Sequence, residues 1–432
     1  MICIECVTPE PLKQLFDTHG QEGDCQYCQR HGKAIESRVL FEYVYDRVRE
    51  NLAQRDDLSH FELGMLYECG SDKIAMANID EILSEWMRLG EERYFDLLVD
   101  GVPGEFTVDD DGHEVHFFDD DGTLEKNVYD EEWDAFVSGV QYTHRFFNAN
   151  AKEFLDSVFS PLVSDEDALK SEVIRTMANG DMLYRARLAK DLDEAEQMVK
   201  NPAGQFGSTP RFLASSQRMT PNGISALYCA LERETCLSEI RSITGDNVVS
   251  AALTPVAELK LLDLTVLNRM EPPELSRLDV GYRKALHRKV FLGSLVKKMS
   301  RPKARNDELS YLSTQVVFEY LRLRFGKQVD GLVFPSVQTG EAGTNVVLFP
   351  EASRLAYILP AGAEKDRYSD EPAPVQVPID KGSRLKPPTK VMVVHDLFRF
   401  HKITAIETRA REYHHSCDLF MSEETRRRLN LN

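Results

Sequence analysis

Four cysteines within the first 28 residues, arranged as Cys3-x2-Cys6 and Cys25-x2-Cys28, constrain this chain more than any other feature. Two such knuckles can present four thiolates tetrahedrally to one zinc ion, and the metal then stabilises a short segment that has little core of its own. The competing reading is two unrelated cysteine pairs. A four-thiolate site leaves no coordination position open, so its role is structural, in the manner of a zinc ribbon. The remaining cysteines, of 8 in all, are too scattered for a disulfide scaffold in 432 residues. His414, His415 and Cys417 are read as surface residues, because three adjacent ligands cannot close a metal site alone.

The net charge of -19 is unevenly placed: residues 1–150 carry -22 and the remainder +3. So negative a surface repels a phosphate backbone, which argues against nucleic-acid binding by the first part, whereas the near-neutral remainder can accept a small anion. The charge step also marks a domain boundary. No apolar run reaches the length of a membrane span, and the first residues lack the basic-then-apolar order of a secretion signal, so a cytoplasmic protein is expected.

From Ala34 to about Leu98 the apolar residues recur at helical spacing, as in Leu40, Val44, Val48 and Leu52. Within this stretch Arg55 and His60 form an R-x4-H element like that of HEPN ribonucleases; a helix end capped by Asp57 or Ser59 is the plainer reading. Asp109–Gly112 and Asp119–Gly122, flanked by the alternating runs Glu105–Val108 and Val115–Phe118, are expected as solvated hairpin turns. Neither has the oxygen spacing of a calcium loop. Residues 143–180 read as helices. Beyond Met182 short β-rich runs appear at 226–229, 259–264, 331–334 and 345–349, with helical patterns at 232–243, 279–299 and 308–325 between them. This is the pattern of an α+β domain. Pro372, Pro374, Pro378, Pro387 and Pro388 mark a stiff connector, followed by expected strands at 390–394 and 403–409 and by Arg426, Arg427 and Arg428 at the end of a final helix. The expected domains are therefore 1–150, acidic and α-rich; 175–355, α+β; and a C-terminal extension, 356–432.

No Walker A loop, G-x-G-x-x-G, H-E-x-x-H or G-x-S-x-G occurs. Unusual polar residues instead gather in three segments: Gln217 to Ile224, Tyr228 to Arg241, and Phe334 to Val337. Here the chain resembles the RES-domain family. The resemblance covers about 180–350 and rests on Tyr184-Arg185, on Arg218 with a strand tyrosine ten residues later at Tyr228, and on the helix Glu234-Thr235-Cys236-Leu237-Ser238-Glu239. It continues with Leu262-Asp263-Leu264, and with Ser336 ahead of the Asn345–Phe349 strand. Gln217 and Thr220 depart from the glycine and asparagine usual around the arginine, while Gly223 is retained. The first 150 residues resemble the domain that precedes RES or HEPN domains in longer relatives.

The resemblance implies an ADP-ribosyltransferase-like fold and cleavage of the nicotinamide–ribose bond of NAD+ by phosphorolysis or hydrolysis. It also implies a bacterial toxin or defence effector held by an antitoxin or another regulatory protein. The residues fit such chemistry. A pyrophosphate needs fixed cations, and arginine donates to its oxygens in bidentate fashion; Arg218 and Arg185 are the candidates, with Tyr184 and Asn222 beside the cofactor. Departure of nicotinamide leaves positive charge on the ribose, which a carboxylate stabilises, and Glu239 is assigned to it. Tyr228 offers a flat face and a hydroxyl, and Ser336 a loop hydroxyl for a phosphate or ribose oxygen. Taken singly, an exposed helical glutamate, a half-buried strand tyrosine and a turn serine are all common. Two further functions compete with NAD+ cleavage: a module that binds a nucleotide without turnover, and a ribonuclease built on Arg55 and His60, against which the charge of residues 1–150 argues.

Overall fold

The computed structural model describes residues 1–58, 60, 63–64, 74–123, 127–300, 309, 311–356, 389–406 and 412–413. The proline-rich connector, Ser59, His414, His415, Cys417 and the arginines at 426–428 lie outside the described residues. Among the described residues no helix is long and apolar enough to cross a membrane. The chain forms two compact units, and the division is not linear in sequence: Met270–Leu292 joins Met1–Trp133 in the first, while the second comprises Asp134–Arg269 and Gly293–Ala410.

The first unit opens with three short strands, β1 (Ile2–Cys3), β2 (Gln21–Asp24) and β3 (His31–Ile35), in the order β1-β3-β2 and antiparallel throughout. The helix Ser37–Asn51 follows, and the expected apolar stripe is its inner face: Leu40, Val44 and Val48 are fully buried against Phe16, Ile82, Leu98 and Phe117. Arg55–Asp57 is a single 3-10 turn on which Gln54 and Asp57 cap one another, and His60 is exposed.

The two Asp-Gly loops differ from one another. Asp109–Gly112 is the expected exposed turn, closed by Asp109 N–H donating to His113 O at 2.9 Å with Gly112 at φ 84°. Its flanks pair as expected but only briefly, through an antiparallel bridge of Val108 with Glu114 and Val115 N–H donating to Thr107 O at 3.1 Å. Gly104–Phe106 is a 3-10 turn, and β5 (Phe117–Phe118) pairs instead with β4 (Ala53–Gln54). The second loop is not solvated: Asp120 is fully buried, 3.0 Å from His287 Nε2 and bonded to Arg283, while Arg277 grips Asp119. Cations from residues 270–292 neutralise this loop, which charge counting within residues 1–150 could not anticipate.

The second unit is built on a nine-stranded mixed sheet. Its strands are β6 (Ile174–Met177), β7 (Leu183–Ala189), β8 (Leu227–Ala230), β9 (Asn247–Pro255), β10 (Leu259–Asp263), β11 (Gly331–Pro335), β12 (Thr344–Leu348), β13 (Leu355–Ala356) and β14 (Val391–Lys402). Their spatial order is β13-β14-β9-β7-β8-β12-β11-β10-β6. One core packs Leu183, Leu227, Leu253, Val333 and Val346 with Met198 and Phe206 of the helices Leu192–Lys200 and Pro202–Phe206. A smaller cluster, Ala186, Ala230, Cys236 and Val248, seats the helix Arg233–Glu239. Within 143–180, expected to be helical, only Ala149–Phe159 forms a regular α-helix of length; Ile174–Met177 extends the sheet by pairing with β10. The strand expected at 390–394 is longer than expected: β14 runs to Lys402, with a bulge between Val394 and Arg399, whereas of the strand expected at 403–409, residues 403–406 carry none and 407–409 lie outside the described residues.

Candidate active site

The second unit contains a cavity of about 360 Å³ whose lining includes Tyr184, Arg185, Arg187, Arg218, Tyr228, Glu239, Arg241 and Asn345. Strand pairing creates it. β7 and β8 meet at a single register pair, Tyr184 with Ala230, and part beyond it, whereas β8 and β12 stay paired from Leu227 to Ala230. Arg185 fills the wedge: its guanidinium donates to Tyr228 O at 2.8 Å, to a carbonyl that a continuous ladder would have occupied. Burial, and Arg187 after it, lowers the Arg185 guanidinium to about 10, and burial lowers Arg187 as well. Among the described residues neither arginine forms an ion pair, so an anion entering the cavity meets two desolvated cations.

Glu239 ends the helix Arg233–Glu239. Its Oε1 accepts from Ser336 Oγ at 2.6 Å and from Asn345 Nδ2 at 2.6 Å. Ser336 is fully buried and Asn345 is 6% exposed. The expected reach of the Ser336 hydroxyl toward a ligand is therefore not what the fold provides; the hydroxyl is spent on the carboxylate. Both donors fix one oxygen and leave the other for the cavity. The start of the same helix is held by Glu232, whose Oε2 accepts from Thr235 Oγ1 and from Thr344 N, each at 2.8 Å. At Arg241 the chain takes φ 49°, a left-handed position just past a helix where glycine is the usual residue. An arginine there carries a backbone cost of about 1–2 kcal/mol and brings a guanidinium to the cavity wall.

The loop carrying Arg218 is clamped from two sides. Gln315 Nε2 donates to Gln217 O at 2.8 Å and to Ser216 Oγ at 2.9 Å, and Met219 N–H donates to the Tyr228 hydroxyl at 3.2 Å. Burial pushes the Tyr228 hydroxyl up to about 12, against the opposing pull of Thr220 and Met219. It is thus a neutral anchor for the arginine loop, and its oxygen is already engaged. Gly223, at φ 82°, makes the turn that follows.

Of the residues expected from sequence, Tyr184, Arg185, Arg218, Tyr228 and Glu239 line one cavity, and Ser336 touches it through Glu239. Asn222 is exposed and does not line it. Sequence reasoning missed Asn345, Gln315, Arg187 and Arg241. Asn345 had a signal, since asparagine is depleted in strands yet opens an otherwise apolar run. Arg241 closes one of the three polar segments, while Gln315 and Arg187 had no such signal.

In the first unit the sulfurs of Cys3, Cys6, Cys25 and Cys28 lie within 4.8 Å of one another. Cys3 and Cys28 are 3.4 Å apart and Cys6 and Cys25 3.9 Å, against about 3.8 Å between thiolates on a tetrahedral zinc with 2.3 Å bonds. Burial and the neighbouring sulfurs push the Cys6 thiol up to about 12. Burial opposes ionisation of Cys25 too, yet N–H donation from Cys28, Cys3 and Tyr27 brings it down to about 6. Four soft donors gathered at tetrahedral spacing fit a thiophilic divalent cation, and among the described residues no other group of this kind occurs.

One cavity thus gathers four arginines, Tyr184, Tyr228 and a carboxylate fixed by two buried donors. The family model described as the RES domain matches residues 182–369, so a RES domain occupies the C-terminal half of this multidomain chain. No curated protein matches the chain.

Proposed function

We propose that the RES domain cleaves the nicotinamide–ribose bond of NAD+. RES domains are associated with NAD+-related toxin function, and the observation that carries the reading is the Glu239 carboxylate, gripped by Ser336 and Asn345 in a cavity with four arginines. As nicotinamide leaves with the bonding electrons, the ribose carbon becomes cationic and the free oxygen of Glu239 stabilises it. At about 4 Å and an effective dielectric near 20, such a charge pair interacts by about 4 kcal/mol, or about a thousandfold in rate if it acts only in the transition state. Arg185 and Arg218 hold the pyrophosphate, and Tyr184 and Tyr228 wall the ring. Ser336 and Asn345 act as positioning residues for Glu239. Phosphate or water completes the reaction, Arg187 and Arg241 being the cations available to an anionic acceptor.

The Cys3, Cys6, Cys25 and Cys28 cluster holds a structural zinc ion in this reading, closed to substrate, and an antitoxin or other regulatory protein restrains the enzyme. The test is nicotinamide release from NAD+ by purified protein, with and without phosphate, beside Glu239→Gln and Arg218→Ala. Release that depends on both side chains supports the reading. Binding of NAD+ without release returns the domain to a nucleotide-binding module.

A further inference from the structure

The family match ends at residue 369, yet β14 (Val391–Lys402) is a full member of the sheet, paired antiparallel with β9 over Val391–Lys402 and Asn247–Pro255. Val391, Val393 and Phe398 are buried in the same core as Leu183, Leu227 and Val346, with the Phe398 ring tilted against Phe206 at a centroid distance of 5.6 Å. Just past the strand, Ile403 packs against the small cluster of Ala186, Ala230, Cys236 and Val248, as do Tyr184, Leu237 and Ile240, and several of these residues line the cavity. Its N–H donates to Asp246 O at 3.0 Å, and its carbonyl accepts from Gly245 N–H at 2.8 Å.

One side chain ties this strand to the cavity. The Arg233 guanidinium lies over the Tyr184 ring, 4.7 Å from its centroid, and Tyr184 lines the cavity. The same guanidinium donates to Leu397 O at 3.0 Å and to the Ser250 hydroxyl, which in turn bonds His401 Nε2 at 2.8 Å. Arg233 is also the first residue of the helix that ends in Glu239. Its charge meets no carboxylate among the described residues; it is spent on an aromatic face and on oxygens of β9 and of β14. A cation stacked on a ring and held by neutral acceptors fixes the plane of that ring, which a hydrophobic contact alone leaves free to tilt.

We infer that β14 belongs to the catalytic domain, and that Arg233 is a positioning residue through which Leu397 and His401 of that strand set the Tyr184 wall and the root of the Glu239 helix. The inference rests on the NAD+ reading for its kinetic consequence and on geometry alone for the coupling. The full chain is compared with Arg233→Ala, Arg233→Lys and His401→Ala in nicotinamide release, and by hydrogen exchange over Leu183–Ala189 and Arg233–Glu239. For Arg233→Ala, KM for NAD+ rises at least tenfold while kcat per active site stays within about threefold. Added guanidinium restores KM toward the wild-type value, and Arg233→Lys, which lacks the planar fork, recovers only part of it. His401→Ala raises KM in the same direction, by less. Exchange quickens in both segments in each variant. A merely structural role lowers the active fraction or the melting temperature and leaves KM unchanged, and that result overturns the inference. If the wild-type chain releases no nicotinamide, the NAD+ reading has failed; the coupling then stands if exchange over Leu183–Ala189 responds to His401→Ala and falls if it does not.

Discussion

At the scale of single residues, each important side chain is defined by what partners it. Glu239 has the residue type of a common helical glutamate, and the two donors on one of its oxygens set it apart. Glu239→Gln keeps the shape and removes the charge, so kcat for nicotinamide release falls by about a thousandfold with little change in melting temperature. Ser336→Ala removes one donor and costs about ten- to a hundredfold, one hydrogen bond to a charged group being worth about 1.5–3 kcal/mol. Asp120 makes a second prediction. Burial works against its ionisation, but His287, Arg283 and the Gly122 N–H outweigh it and hold the carboxyl well below the usual range. A depressed folded pKa contributes stability that is complete above the unfolded value of about 3.9 and is lost as pH falls through the folded one. Denaturant titration of wild type against Asp120→Asn is expected to show a constant gap of about 3–5 kcal/mol from pH 7 to about pH 4, closing only below it. A gap that narrows above pH 5 contradicts this account. Sequence identified Glu239 and Ser336 as residues, but their contact spans 97 positions and is invisible to local pattern.

At the scale of elements, the helix Arg233–Glu239 is stitched to the start of β12 at both ends, by Glu232 to Thr344 and by Glu239 to Asn345. The approach requires a glycine. A Cβ on Gly343 would lie 2.0 Å from Thr235 Oγ1, so Gly343→Ala displaces the helix. The expected outcome is a loss of about 1–3 kcal/mol in thermal unfolding, together with a fall in turnover. The cysteine cluster is likewise an element-scale device, linking β1 and the Ile4–Cys6 turn after it to the loop between β2 and β3. Stripping metal with a strong chelator is predicted to release one zinc per chain, measured by atomic absorption, and to raise hydrogen exchange over residues 1–35; Cys6→Ser does the same without chelator. The periodic elements were legible, since Ser37–Asn51, Arg233–Glu239, β10, β11 and β12 fall where apolar spacing places them. The start of β14 was legible as the strand expected at 390–394, but its continuation to Lys402 was not, because a bulge interrupts its alternation and its partner strand, Asn247–Pro255, is remote in sequence.

At the scale of the whole molecule, the enzymatic reading makes a prediction in living cells. Expression of the wild-type chain in bacteria should lower intracellular NAD+, measured by enzymatic cycling, and arrest growth, whereas Glu239→Gln should do neither. Arrest by both forms would detach toxicity from this site. Sequence alone determined the two cysteine knuckles, the acidic first part and the chemical types in the RES domain, because these depend on composition and on spacing over a few residues. The tertiary structure decided which units exist, returning residues 270–292 to the first and drawing β14 into the second. It also decided that Asp120 is buried, that Ser336 serves Glu239 and that Arg185 fills a parted sheet. Those outcomes depend on which distant strands and cations come together, and burial then makes each polar contact obligatory, because an unpartnered group in the interior costs more than any local preference can repay.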